Sequence, residues 1–150
     1  MSAYRTIVVG TDGSESSYKA VEKAASLAAD ESAQLIIACA YYPTDERDLG
    51  AAADVLKDDA YQVRGSAPTS EILRTAREKA QAVGASNVIE KSVVGAPVES
   101  LLALVVDSKA DLLVIGNRGL NSLAGRLLGS VPSDVARKSN SDVLIVHTVR

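Results

Sequence analysis

The aliphatic residues of this chain fall into short unbroken runs, separated by longer stretches with helical spacing. The first run, "TIVVG" (6–10), is β-branched and stops at a glycine, the pattern of a strand buried on both faces. After it, Ala20, Val21, Ala24, Leu27 and Ala28 recur at three- and four-residue intervals. That spacing predicts an amphipathic helix, with Ser14 placed to cap its first turn. "QLIIACAYY" (34–42) predicts a second buried strand. Ile72, Leu73, Ala76 and Ala80 mark a second helix from about Ser70 to a stop at Gly84. "NVIEKSVVG" (87–95) is a third strand, in part alternating, and Pro97 opens a helix with Val98, Leu101, Leu102 and Val105 on one face. "DLLVIG" (111–116) is a fourth strand, "VPSDVARKSN" (131–140) suits a short helix, and "DVLIVHTV" (142–149) is a fifth strand.

Strands that alternate with helices, each strand a near-continuous aliphatic run, predict an α/β fold with an open parallel sheet and helices on both faces. At 150 residues the chain reads as one domain, 1–150, long enough to bury a sizeable core. The stretch from Pro43 to Pro68 fits no unit of the alternation. It is acidic and alanine-rich, and a connection of that length inside a small domain is usually functional or mobile.

Composition narrows the chemistry. Aromatic residues make up 3% of the chain, five Tyr with no Phe or Trp. The core is therefore built from Ala, Val, Leu and Ile, and the stacking rings that single-stranded nucleic acid needs are absent. A net charge of -3 argues against a DNA or RNA partner as well. One cysteine, Cys39, excludes an internal disulfide and a multi-cysteine metal site, and one histidine, His147, excludes a His-rich zinc site. No apolar run approaches the roughly 18 residues of a membrane span and no signal peptide opens the chain, so a cytoplasmic protein without a membrane partner is expected.

What remains is a set of glycine turns. In an open parallel sheet, ligands bind beyond the carboxyl ends of the strands, where the strand order reverses. If the first and fourth strands are neighbours there, "GTDGS" (10–14) and "GNRGL" (116–120) meet at one crevice. Gly10, Gly116 and Gly119 allow close backbone approach to a ligand. Gly129 and Ser130 precede a helix start, where free N–H groups favour a phosphate. Neither a Walker loop nor a G-x-G-x-x-G fingerprint is present, so the cradle has no Walker lysine. Asp12 faces the same crevice. A carboxylate is unfavourable beside a phosphate, which places it on the ribose or base side, with turn capping as its plainer role. Arg118 and Arg126 have the reach for phosphate oxygens, though exposed arginines are more often solvated. Cys39 reads as a small core residue, and His147 as structural, with no serine or cysteine nucleophile paired to it.

The spacing Gly116-x-x-Gly119, nine residues, Gly129-Ser130 resembles the ATP motif of the universal stress protein family. The likeness covers essentially the whole chain, through "VVGTDGSESS", "VVGAPVESLL", "ADLLVIGNRG", "LLGSV" and "DVLIV". It implies a five-stranded, Rossmann-like sheet of the adenine nucleotide alpha hydrolase type, in the order 3-2-1-4-5, and a homodimer. By the resemblance, Thr11 and Asp12 sit near the adenosine and Ala40 offers backbone to adenine. Gly116, Gly119, Gly129, Ser130 and Val131 hold ribose and phosphates, and Ala96 and Pro97 wall the pocket. The segment "AADVLKDDAYQVRGSAP" is similar to actinobacterial members that bind cyclic AMP as well as ATP, and Asn117-Arg118 adds a cation to the cradle. In the implied order the fifth strand is an edge, yet "VLIVHTV" is apolar and uncharged, which invites pairing with a second copy.

The resulting expectation is a nucleotide binder or sensor for cyclic AMP, ATP or both, with magnesium accompanying ATP. Two rivals stand beside it: a slow metal-dependent ATPase or nucleotide hydrolase working through Asp12, and a dimeric partner-binding module with an empty pocket.

Overall fold

The computed structural model describes residues 3–41, 66–117 and 135–148. Five strands form one parallel sheet: β1 (Thr6–Gly10), β2 (Gln34–Tyr41), β3 (Val88–Val94), β4 (Leu112–Gly116) and β5 (Asp142–Val146). Their order is β3-β2-β1-β4-β5. Three long helices connect them: α1 (Glu15–Glu31), α2 (Ser66–Ala82) and α3 (Pro97–Ser108). Residues 135–138 add one further helical turn. The expected fold class and strand order are both observed.

Side chains alternate across the sheet, and each face takes its own set. Ile7 and Val9 of β1, Leu35, Ile37 and Cys39 of β2, and Leu112 and Val114 of β4 pack against α1 and α2. Val8, Ile36, Ala38, Leu113 and Ile115 point the other way, onto Leu101, Leu104 and Val105 of α3 and onto Val135. The helical stripes that meet the first face are small: Ala20, Val21, Ala24, Ala25 and Ala28 on α1, with Ala76 and Ala80 on α2. With almost no rings to bury, the helices reach close packing by sitting low on the sheet. Each fully buried Leu, Ile or Val still contributes about 1.5–3 kcal/mol of transfer free energy.

Local signals explain the helix ends. The Ser14 side chain accepts from the Ser17 backbone N–H at 3.1 Å, capping α1. At the other end Ser32 adopts the left-handed conformation and its N–H serves the Ala28 and Ala29 carbonyls. Pro97 sits in the first turn of α3, where a missing N–H costs nothing. The same tolerance explains a difference at α2. That helix begins at Ser66 and carries Pro68 in its first turn, whereas apolar spacing alone starts it near Ser70.

The amino-terminal end of the sheet consumes carboxylates. Asp111 accepts from the backbone N–H groups of Arg5 and Thr6, Glu31 from those of Ala3 and Tyr4, and Asp142 from the Tyr4 hydroxyl. These acids fasten the start of β1 to α1, β4 and β5. Among the described residues, no group of three or more His, Cys, Asp or Glu could hold a metal ion, and no helix is long and apolar enough to cross a membrane.

Cys39 has no exposed surface. Burial, reinforced by the nearby Asp12 carboxylate and opposed by the Thr69 hydroxyl, pushes its thiol up to about 12. The native protein is therefore expected to resist a chromogenic thiol reagent at pH 8, with one thiol reacting once urea unfolds the chain. Fast labelling of the folded protein would contradict this packing.

Candidate functional site at the carboxyl ends of β1 and β4

β1 pairs with β2 on one side and β4 on the other, so the strand order reverses at β1. Thr11 and Asp12 follow β1 and Asn117 follows β4, so the two strand exits stand side by side at the end of the sheet where open parallel sheets take their ligands. The sequence-predicted residues gather at this end of the sheet. Gly10 and Gly116 close their strands and are buried. Thr11 and Asp12 follow β1 directly. Ala40 lies on β2, two residues beyond the last β1 register pair, Gly10 with Ala38. Ala96 and Pro97 form the entrance to α3, joined to β2 through the Gly95 N–H, which donates to the Tyr41 carbonyl at 2.9 Å. Arg118, Gly119, Arg126, Gly129, Ser130 and Val131 lie outside the described residues, as does 43–65.

The turn after β1 is held by hydroxyls. Thr11 is buried, and its N–H donates to the Ala38 carbonyl at 2.9 Å. Its Oγ1 pairs with Ser17 Oγ at 2.7 Å and accepts from the Gly13 N–H at 3.1 Å. Asp12 Oδ1 accepts from the Ser14 N–H at 2.9 Å, a local Asx turn. Gly13 has φ +86, and a Cβ there would stand 3.0 Å from Ile72 of α2. That position needs glycine both for its backbone angle and for its packing.

Asp12 is half-buried. Burial raises its pKa above the ordinary carboxylate value, while hydrogen bonds from Ser14 and Ser17 pull in the opposite direction. Desolvation outweighs those donors, so the carboxylate would gain from a further one. A hydroxyl or amino group of a ligand supplies that; a phosphate does not.

The β4 side of the crevice is fixed by residues the spacing arguments did not single out. Asn117 Oδ1 accepts from both the N–H and the hydroxyl of Thr148, each at 2.9 Å. Its Nδ2 lies 3.2 Å from His147 Nδ1. Thr148 is buried and its hydroxyl also meets Ser16 Oγ in the first turn of α1. Lys19 Nζ donates to the Thr148 carbonyl at 3.3 Å. These bonds end β5 at Val146, short of the run to 149 that hydrophobicity predicts: His147 and Thr148 leave the strand to serve side chains. Among the described residues the exposed imidazole of His147 bonds the Asn117 amide.

A groove of about 340 Å³ also exists, between β3 and α3, lined by Lys91, Val93, Ser100, Leu104 and Asp107 among others. It runs along the flank of the sheet, and among the described glycine turns neither Gly10 nor Gly116 lines it.

Comparisons with known proteins bear on the fold and the family. Residues 3–147 match the Universal stress protein family. The universal stress protein Rv1636 of Mycobacterium tuberculosis is 57% identical over 148 residues, 99% of either chain. A universal stress protein solved in complex with cAMP shares 51% identity, covers 99% of this chain and 100% of its own, and superposes with a TM-score of 0.76. UspA from Lactobacillus plantarum, at 19% identity with 97% and 99% of the two chains covered, shares the fold with a TM-score of 0.75. A family model that matches nearly the whole chain and a relative 57% identical over 99% of it leave one conclusion: this chain belongs to the universal stress protein family.

Proposed function

We propose that the chain is a cytoplasmic adenine-nucleotide-binding protein of the stress response, a binder or sensor that takes cyclic AMP and ATP at the crevice between β1 and β4. The observation that carries this reading is the full-length likeness, at 51% identity, to a universal stress protein holding cAMP. The crevice residues fit such a ligand. Asp12 is an under-supplied acceptor suited to a ribose hydroxyl or an adenine amino group. Thr11, Gly10 and Gly116 bring backbone to the nucleoside, Ala40 offers main-chain polar groups toward adenine, and Ala96 and Pro97 wall the base. Gly119, Gly129, Ser130 and Val131 receive the phosphate by the motif that resembles the family's, and Arg118, a departure from its common forms, adds a cation there.

Charge favours the smaller nucleotide. Among the described residues, the lysine nearest the β4 exit, Lys19, is committed to the Thr148 carbonyl. Asp12 adds negative charge on the other side. Cyclic AMP brings one negative charge on a rigid ring and loses little freedom on binding. ATP brings a flexible, multiply charged tail that calls for Arg118 and a magnesium ion. Titration of cyclic AMP and ATP into nucleotide-free protein, with and without magnesium, is expected to show cyclic AMP at least as tight as ATP, and ATP tightened by magnesium. Absence of binding by either nucleotide would remove the proposal.

Asp12 gives a pH signature. Its carboxylate accepts a charge-assisted bond from the ligand only when ionised, and its pKa in the protein is raised. Cyclic AMP affinity is therefore expected to fall as pH drops through that raised value, earlier than an unperturbed aspartate would allow. Asp12→Asn should bind about tenfold more weakly at pH 7, the loss of one charge-assisted bond, and show a flat profile from pH 7 to 4.5. Calorimetry across that range checks both.

Assembly follows from β5, which has no strand beyond it among the described residues. Leu144 and Val146 turn into the core with α1 and α2, while Ile145 is 42% exposed. A bare apolar edge of this kind suits pairing with a second copy across a two-fold axis. Light scattering is expected to report a dimer at micromolar concentration and a monomer for Ile145→Lys. A wild-type monomer would contradict the edge contact.

A further inference from the structure

The hydrogen bonds around the crevice form one connected belt, and its directions can be worked out. Both donors of Thr148, N–H and O–H, converge on one atom of the Asn117 carboxamide, so that atom is the oxygen. The Thr148 proton is then spent on Asn117, and Ser16 must donate to Thr148. The carboxamide nitrogen is left facing His147, whose Nδ1 accepts. On the other side, Ser16 is followed by Ser17, which bonds Thr11, Asp12 and Ser14 through its Oγ and N–H. The belt therefore runs from the turn after β1, through the first turn of α1, to Thr148 and on to the end of β4. Gly116 lies beneath it: a Cβ there would stand 3.4 Å from Thr148 and 3.5 Å from Ser16.

We propose that Thr148 is a positioning residue for the nucleotide site, fixing the distance between its two lips without touching the ligand. This rests on the nucleotide reading above. The β1 turn and the β4 exit belong to adjacent strands, but beyond Gly10 and Gly116 no ladder bonds join them, and the registered pairs stop at Val9 with Val114. Past that point, the described bonds joining the two exits run through Ser16, Thr148 and Asn117. Thr148 is 5% exposed and lies beyond the last residue of the edge strand. Its hydroxyl is the joint of the belt, since it alone both accepts from α1 and donates to the β4 exit. A ligand held by both lips needs them at a set separation before it arrives, and loosening the joint lowers affinity through the cost of restoring that separation.

The test compares Thr148→Val, which keeps shape and N–H but removes the hydroxyl, with Thr148→Ser, which keeps the hydroxyl. Cyclic AMP affinity is measured by calorimetry at a temperature where urea titration shows each variant fully folded. Thr148→Val is expected to weaken binding about tenfold and Thr148→Ser by no more than about twofold. Ser16→Ala, which removes the donor to the same hydroxyl, is expected to weaken binding like Thr148→Val, and the double variant to be little worse than either single one. It also serves as the probe if Thr148→Val does not fold. Equal affinity of wild type, Thr148→Val and Ser16→Ala, or equal losses for Thr148→Val and Thr148→Ser, would overturn the positioning role while leaving nucleotide binding in place. A wild-type protein that binds neither cyclic AMP nor ATP would overturn the nucleotide reading and this inference together.

Discussion

β1 is the reference for everything at the crevice, because it is constrained on all four sides. It is hydrogen-bonded to β2 and to β4, and its side chains are buried against α1 on one face and α3 on the other. A strand fixed in this way cannot shift register without moving its whole apolar set from one face to the other. Its last residue, Gly10, is therefore placed by the core and not by the site. The strand order reverses at the same strand, and open parallel sheets take their ligands at such a switch point. The crevice is a consequence of topology, and side chains then give it a chemical character.

That character differs sharply between the two ends of the sheet. At the amino-terminal end, Glu31, Asp111 and Asp142 are spent on backbone N–H groups and on the Tyr4 hydroxyl, and they stitch the start of β1 to its neighbours. At the carboxyl end, the stitching is done by neutral groups: Thr11, Ser14, Ser16, Ser17, Asn117 and Thr148. Among the described residues Lys19 is the cation joined to them, through the Thr148 carbonyl. Asp12 is the anion there, a carboxylate that burial holds above its ordinary pKa. A nucleoside with hydroxyl and amino donors suits that carboxylate, and a phosphate suits the glycine turns that lie away from it.

Much of this was legible in the sequence, for identifiable reasons. Buried parallel strands appear as unbroken aliphatic runs, so "TIVVG", "QLIIACAY" and "DLLVIG" stood out, and Ser14 announced the start of α1 through a cap three residues from its partner. What escaped was non-local or tolerated by exception. Pro68 inside the first turn of α2 hides the true start of that helix, since proline there costs nothing but reads as a break. The bonds of Thr148 to Ser16 and Asn117 span 132 and 31 residues. No periodicity records such a pairing. The one hint was a polar His-Thr pair within the otherwise aliphatic closing strand, where β5 gives up the ladder.

The central claim is that an adenine nucleotide occupies the switch-point crevice. The most direct measurement is an amide correlation spectrum of isotope-labelled protein during titration with cyclic AMP. The account predicts the largest shift changes at Gly10 to Ser17 and at Asn117, with the strand starts near Arg5 and Asp111 unmoved. Changes concentrated instead at Lys91 to Val94 and at Ser100 to Asp107, along the groove between β3 and α3, would contradict it.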